Sequence, residues 1–121
     1  MSQPPPSFEH YLAAWNEPDP GVIAGHLARA VAPEVVFADP ANHTTGVAEL
    51  EAMIRATRTD LPNAEYRVTS GIDGGHDHRY RYRWAVVIDG KTAVTGMDCT
   101  TVDGTGRITR IDGFFGDFPG A

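Results

Sequence analysis

Residues 79–115 read RYRYRWAVVIDGKTAVTGMDCTTVDGTGRITRIDGFF. The first part alternates strictly, so that Tyr80, Tyr82 and Trp84 share one face of a strand and the arginines between them share the other. Asp-Gly turns interrupt the stretch and divide it into predicted strands at residues 79–88, 92–102 and 107–115. Because Asp-Gly between alternating runs is the strongest short-range signal for a hairpin, the stretch predicts an antiparallel meander.

The N-terminal residues predict an amphipathic helix. Phe8, Tyr11, Leu12 and Trp15 fall at positions i, i+3, i+4 and i+7, which form one stripe along a helix. Ser7 stands just before the stripe, where its hydroxyl is expected to cap the helix. We therefore expect the stripe to face the core.

More elements lie between this helix and the meander. Asp19 is expected to cap a second helix, Pro20 suits its first position, and Pro33 is expected to end it. The other predicted elements are strands at residues 35–39 and 65–72 and a third helix at residues 47–59.

This order of elements predicts an α+β fold. Three N-terminal helices packed on the concave side of a curved, mainly antiparallel β-sheet form a cone with a pocket inside. A chain of 121 residues is long enough for one core and too short for two. We expect a single domain at residues 7–118 and a disordered, proline-rich lead-in at residues 1–6.

Composition argues against several classes of protein. A formal charge of −6 and a pI near 5.2 disfavour binding to nucleic acid, which needs a basic surface. The sequence has no apolar run of about 18 residues and no signal-peptide pattern, so we expect no membrane association and a cytoplasmic location. Cys99 is the only cysteine, and His76 and His78 have no third ligand clustered with them. We expect neither a metal nor another cofactor.

Asp39 and Asp98 point to chemistry, because each is predicted to lie on an apolar face. Asp39 has the same strand parity as Val35 and Phe37, and Asp98 lies within the predicted strand at residues 92–102. Burying a carboxylate without partners costs several kcal/mol, roughly, unless its pKa shifts. Together with Tyr11, two carboxyls in one apolar pocket favour proton transfer on a small carbon skeleton.

Each of these residues also has an interpretation without a function. Asp39 precedes Pro40, and an aspartate there commonly forms a turn with the following backbone. Tyr11 completes a helical stripe that packs with or without its hydroxyl, and Asp98 on an outer face would be an ordinary surface acid. The residues predicted to line the pocket around the three are Trp15, Phe37, His43, Ile54, Tyr82, Trp84, Val86, Ile111 and Phe115.

Several motifs resemble one known family. They are Tyr-Leu-Ala-Ala-Trp at residues 11–15, Phe-Ala-Asp-Pro at 37–40, Gly-Val-Ala-Glu at 46–49 and Asp-Gly-Thr-Gly-Arg-Ile at 103–108. In this order they are similar to the nuclear transport factor 2-like superfamily, which includes SnoaL-type polyketide cyclases and ketosteroid isomerase. The resemblance implies the cone-shaped fold of that superfamily over nearly the whole chain.

The resemblance to ketosteroid isomerase also implies roles for the three polar residues. Asp39 would be the general base, and Tyr11 and a protonated Asp98 would donate hydrogen bonds to the enolate oxygen. Asp98 is then expected to be neutral near pH 7, because its apolar site and an ionised Asp39 both raise its pKa. Val31 and Ile54 stand where those isomerases have further tyrosines.

The sequence thus predicts a small-molecule isomerase or cyclase that abstracts a proton next to a carbonyl without a cofactor. Its ligand is expected to be small, apolar or aromatic, and to contain a carbonyl. A non-catalytic ligand-binding or association module is one alternative. A dehydratase or hydrolase on the same scaffold is another, for which His43 would have to enter the pocket.

We also expect a homodimer that forms through the convex face of the sheet. The residues predicted for that face are Arg79, Arg81, Arg83, Thr95, Cys99 and Thr101.

Overall fold

The computed structural model describes residues 3–121, in which helices pack on one side of a single curved sheet. The helices are α1 (Ser7–Asn16), α2 (Pro20–Ala30) and α3 (Val47–Asp60). The strands are β1 (Val31–Ala38), β2 (His43–Thr45), β3 (Ala64–Val68), β4 (Asp73–Gly74), β5 (Arg79–Ile88), β6 (Lys91–Val102) and β7 (Ile108–Phe115), and a short 3₁₀ turn spans His76–His78. The predicted α+β class is confirmed.

The sheet has the strand order β2-β1-β7-β6-β5-β3, with β4 paired to the remaining length of β5. β5, β6 and β7 form the antiparallel meander that the Asp-Gly turns predict. β1 pairs parallel to β7 with Ala38 opposite Asp112, so the sheet is mixed. This pairing places the end of β1 beside residues 110–112 of β7, the outer strand of the meander.

The second helix begins as expected, whereas the first does not. Asp19 caps α2 by accepting a hydrogen bond from the backbone N–H of Gly21 at 2.9 Å, and Pro20 takes the first position. In α1 the N-cap is Pro6, and the Ser7 hydroxyl donates to the carbonyl of Gly106 at 2.6 Å. Ser7 therefore ties α1 to the turn between β6 and β7 instead of capping its own helix.

Other boundaries differ from the expectation, among them the strand predicted at residues 65–72, which ends at Val68. Two of them involve β1 and β2. β1 begins directly after α2, at Val31, and absorbs Pro33 where its register with β7 shifts. The predicted loop after Asp39 contains a short edge strand, β2. In both places backbone pairing with a neighbouring strand outweighs the local turn signals.

Part of the predicted disordered lead-in is packed against the domain. Residues 1–2 lie outside the described part of the chain. The carbonyl of Pro5 accepts a hydrogen bond from the N–H of Phe8, and a Cβ built on Gly106 would lie 3.2 Å from Pro5 Cβ. Pro5 therefore contacts the domain, and the domain bounds at residues 7–118 stay a prediction.

The core lies between the helices and the concave face of the sheet. Its fully buried side chains include Ile23, Leu27, Val35, Leu50, Ile54, Ile108 and Ile111. These residues fill the narrow end of the cone and leave the wide end open, between α1 and the ends of β5 and β6. Within residues 3–121, no helix is long and apolar enough to cross a membrane.

Candidate active site

A cavity of about 470 Å³ occupies the wide end of the cone. Its wall is largely aromatic and aliphatic, and its polar groups include Tyr11, Asp39, Asn42, Tyr82 and Asp98. The apolar lining includes Phe8, Leu12, Trp15, Phe37, Val68, Ile72, Trp84, Val86, Val94 and Phe115. The structure thus brings Tyr11, Asp39 and Asp98 to one space.

Asp98 is the buried acid of the cavity. It lies in the middle of β6, is 8% exposed, and faces Tyr82 across the β5–β6 ladder. The Tyr82 hydroxyl donates to Asp98 Oδ2 at 3.0 Å, and Trp84 Nε1 donates to Oδ1 at 2.9 Å. Burial raises the pKa of Asp98 to about 6. The two hydrogen bonds lower this pKa, and the charge of Asp39 raises it.

This arrangement favours an ionised Asp98 at pH 7, whereas the resemblance implies a neutral acid. A pKa of about 6 leaves most of the carboxyl ionised at pH 7. Both oxygens also accept from N–H or O–H donors, which is the pattern that stabilises a carboxylate. The apolar site raises the pKa in the expected direction, but the two donors limit the rise.

Asp39 combines the two interpretations that the sequence leaves open. Its Oδ1 accepts from the backbone N–H groups of Ala41 at 2.8 Å and Asn42 at 2.7 Å, so it forms the turn after β1. The same side chain is half-buried and lines the cavity. Within residues 3–121 both of its side-chain hydrogen bonds fall on Oδ1, and Oδ2 is not held by the turn.

Gly113 on β7 creates the space that the two acids share. It pairs with Asp98 across the β6–β7 ladder, and Asp112 before it pairs with Ala38. A Cβ at Gly113 would lie 3.1 Å from Asp98 Oδ1 and 3.2 Å from Asp39 Cβ. Any side chain here would push the carboxyls apart. Sequence reasoning missed Gly113, because its role depends on two strand registers.

Tyr11 enters the cavity from α1. Its phenol is buried, and burial, followed by the nearby charge of Asp98, raises its pKa well above the usual range. Tyr11 therefore keeps its proton at neutral pH and can donate a hydrogen bond to a ligand oxygen.

Tyr82 and Trp84 are held in place by neighbours on the same concave face. The Phe8 ring lies 6.0 Å from the Tyr82 ring. The Trp84 indole lies over Gly96, where a Cβ would come within 2.3 Å of it, and Phe115 contacts it edge-on at 5.8 Å. The sequence predicted both residues as cavity wall, and missed that they donate to Asp98.

Three residues predicted to line the pocket lie elsewhere. His43 is exposed on the edge strand β2, because pairing with Ala38 turns it away from the cone. Ile54 of α3 and Ile111 of β7 are fully buried in the core below the cavity. The predicted residues that do line it are Trp15, Phe37, Tyr82, Trp84, Val86 and Phe115.

The electrostatics of the cavity are one-sided. Among the described residues, Arg67 is the one basic residue that lines it, and its guanidinium is bound to Glu65 by hydrogen bonds of 2.8 and 3.0 Å. The carboxyls of Asp39 and Asp98 thus have no cation as a partner among residues 3–121. In the same part of the chain, no group of three or more His, Cys, Asp or Glu side chains could hold a metal ion.

Known proteins share this architecture. A family model described as a SnoaL-like domain matches residues 8–111. A candidate isomerase of the SnoaL-like family from Agrobacterium tumefaciens str. C58 is 29% identical, with a TM-score of 0.85 over 92% of this chain and 95% of that one. No curated protein matches the chain.

Two more distant structures bear on the fold alone. A candidate polyketide cyclase from Sinorhizobium meliloti is 22% identical, with a TM-score of 0.70 over 90% of this chain and 94% of that one. An NTF2-like protein of unknown function from Exiguobacterium sp. 255-15 is 16% identical, with a TM-score of 0.75 over 93% and 99%.

Proposed function

The chain belongs to the SnoaL-like domain family, and from this premise we propose that it is an isomerase or cyclase that moves a proton next to a carbonyl group. The observation that carries the proposal is the carboxyl of Asp98, buried in an apolar cavity and held on both oxygens by donors. A carboxylate with a raised pKa in such a place is suited to general-base catalysis near neutral pH.

Asp98 is the proton acceptor in this proposal. The resemblance to ketosteroid isomerase favours Asp39 instead, but Asp39 uses Oδ1 for its own turn and is less buried. The charge of Asp39, on the other side of Gly113, raises the pKa of Asp98 and so makes it a stronger base. Asp39 thus contributes to the chemistry as the second acid of the pair.

Proton removal converts the ionised Asp98 into the neutral acid and the substrate into an enolate, so the negative charge moves onto the substrate oxygen. The Tyr11 hydroxyl donates a hydrogen bond to that oxygen as the charge develops. Asp98 then returns the proton to another carbon, which completes an isomerisation. In a cyclisation the enolate carbon attacks an internal carbonyl, and Asp98 protonates the resulting alkoxide.

The lining also supports a class of substrate. Two carboxyls without a cation as a partner repel anionic ligands, and the guanidinium of Arg67 is already bound to Glu65. A cavity of about 470 Å³ with aromatic walls suits a flat, neutral molecule of drug-like size. We therefore propose a neutral aromatic or alicyclic carbonyl compound as the substrate.

Exchange of a deuteron next to a carbonyl tests the proposal without knowledge of the natural substrate. With 2-tetralone deuterated at carbon 1, we expect the wild-type protein to accelerate loss of the deuteron, measured by NMR. Asp98→Asn should slow exchange by roughly 10²–10⁴-fold, the usual contribution of a general base. Asp39→Asn is the matched control and should cost less, because it lowers the pKa of the base without removing it.

The pH profile of deuteron exchange distinguishes Asp98 as the general base from Asp98 as a neutral acid that assists Asp39. A base must be ionised, so exchange should increase as pH rises through about 6. A decrease above that pH, or a larger loss in Asp39→Asn than in Asp98→Asn, would return the role of base to Asp39. If the ketone occupies the cavity, as shown by a shift of the Trp84 indole N–H signal, and no exchange occurs, the protein is a binding module.

A further inference from the structure

Thr100 carries a buried hydroxyl that the fold alone does not explain. It is 2% exposed, and within residues 3–121 its Oγ1 has no hydrogen-bond partner of acceptable geometry. A buried hydroxyl left in this state is destabilising, and valine would fill the same volume without an unpaired polar group. An orphan polar group next to a reactive centre therefore calls for a role.

The strand register places Thr100 beside the donors of Asp98. Asp98 and Thr100 are two residues apart on β6 and so share the concave face. Tyr82 lies opposite Asp98, and Tyr80 lies opposite Thr100. The Tyr82 side chain, whose phenol donates to Asp98 at 3.0 Å, is thus the diagonal neighbour of Thr100 on the same face of the adjacent strand. Burial and the charge of Asp98 raise the pKa of Tyr82, whereas the Thr100 hydroxyl acts to lower it.

We infer that Thr100 is a positioning residue, which donates its hydroxyl proton to the Tyr82 oxygen and thereby strengthens the bond from Tyr82 to Asp98. A phenol can accept one hydrogen bond while it donates another. Donation to its oxygen polarises the O–H group, so the second bond becomes stronger. Rotation about the Thr100 Cα–Cβ bond can aim the hydroxyl at the Tyr82 oxygen, since the two side chains share one face of adjacent strands. The inference rests on the proposed role of Asp98 as the base.

The groups that face Asp98 determine its pKa. Asp39 faces it from the end of β1, Tyr11 from α1, and Tyr82 and Trp84 from β5. Tyr11 and Tyr82 both have raised pKa values and stay neutral where Asp98 titrates. The pKa of Asp98 therefore depends on its burial, on the strength of its two hydrogen bonds and on the charge of Asp39.

The experiment measures the pKa of Asp98 directly, by carboxyl ¹³C NMR of aspartate-labelled protein, with Asp98→Asn to assign the signal. Tyr82→Phe removes a donor to the carboxylate and should raise the pKa by roughly half a unit or more. Thr100→Val should raise it by a smaller amount. Thr44→Val is the matched control for Thr100→Val. Thr44 is also buried with an unpaired hydroxyl, but it lies on β2 and pairs with Phe37.

Tyr66→Phe is the control for Tyr82→Phe, since it removes another hydroxyl from the cavity wall.

The double variant gives the sharpest test, because Thr100 is inferred to act only through Tyr82. In the Tyr82→Phe background, Thr100→Val should cause no further shift, whereas Thr100→Ser should keep the wild-type value in the native background. The inference is overturned if Thr100→Val leaves the pKa unchanged, or if its shift is the same with and without the Tyr82 hydroxyl. Thr100→Ala replaces the valine variant if the latter does not fold.

This measurement is independent of turnover. If wild-type protein exchanges no deuteron but the titration follows the expected pattern, the proposed function fails while the hydrogen-bond chain stands. If exchange occurs and the titration does not follow the pattern, only the role of Thr100 fails.

Discussion

At the scale of single residues, Asp98 shows how a reactive group is kept at a cost in stability. Its pKa is raised from 3.8 to about 6 by burial. A shift of one unit corresponds to about 1.36 kcal/mol, so holding the ionised carboxyl in the folded state costs about 3 kcal/mol. The hydrogen bonds from Tyr82 and Trp84 offset part of a larger penalty.

The free-energy cost of burying the ionised Asp98 carboxyl predicts how the stability of the fold depends on pH. Below pH 3.8 the folded and unfolded states both hold the proton, whereas between pH 3.8 and about 6 only the folded state does. The stabilisation that the folded state gains by holding this proton on Asp98 is therefore lost as pH rises through about 6. Asp98→Asn lacks this loss, and its amide can donate to the Tyr82 oxygen and accept from Trp84.

We expect Asp98→Asn to exceed wild type in free energy of unfolding by about 2–3 kcal/mol at pH 8, and to differ little at pH 3.5. Urea denaturation at the two pH values measures the difference, in which the contributions of groups that do not interact with Asp98 cancel. A gap that stays constant or closes as pH rises would contradict the raised pKa. The same substitution should abolish most of the exchange activity, so stability and activity change in opposite directions.

At the scale of elements, Arg58 joins the end of α3 to two neighbouring segments. Its guanidinium donates to the carbonyls of Ala64 at 2.6 Å, Pro62 at 3.2 Å and Glu17 at 3.4 Å. These carbonyls belong to the start of β3, to the loop before it and to the link between α1 and α2. The side chain thus fixes the part of the frame that carries Leu61 at the mouth of the cavity.

We expect Arg58→Ala to lower the free energy of unfolding by about 1–3 kcal/mol, because it leaves part-buried carbonyls without their donor. Arg55→Ala is the matched control on the same helix. Arg55 makes one exposed ion pair with Glu51, four residues away at 3.4 Å, and its loss should cost only about 0.2–0.5 kcal/mol. Equal losses in the two variants, measured by thermal or urea denaturation, would refute the bracing role of Arg58.

At the scale of the whole molecule, the convex face of the sheet lies opposite the face on which the helices pack. Arg81 and Arg83 point outward there, on the opposite side from Tyr82 and Trp84, as the alternation predicts. Cys99 and Met97 lie beside them on β6, and Phe114 on β7 is 55% exposed. A two-fold partner that covers this face would bury Phe114.

We therefore predict a homodimer through the convex face. Sedimentation at micromolar concentration should give about twice the chain mass of 13.1 kDa. Phe114→Glu should shift the equilibrium to the monomer, because it places a charge in the centre of the interface. Phe118→Glu should not, although Phe118 is 84% exposed, since it lies beyond the sheet in the C-terminal segment. A wild-type monomer, or equal effects of the two variants, would contradict this interface.

The sequence by itself determined the three helices, the long strands of the meander and their amphipathic faces. The Asp-Gly turns define the meander, Asp19 and Pro20 define the start of α2, and the alternation from Tyr80 to Trp84 separates inner from outer side chains. These features are local, because turn geometry, capping and side-chain period involve residues a few positions apart. The resemblance of the motifs to a known superfamily added the fold and brought Tyr11, Asp39 and Asp98 together as candidates.

Only the tertiary structure decided how the candidate site is built. The parallel pairing of β1 with β7 sets Asp39 beside Gly113, and the β5–β6 register sets Tyr82 and Thr100 around Asp98. His43 was misplaced because the pairing of β2 cannot be read from its own sequence. Such registers depend on contacts between distant strands and on bulges that shift them, as between Val31 and Val36. A slip of one residue would turn every one of these side chains to the other face of the sheet, which is why the chemistry is settled only when the strands pair.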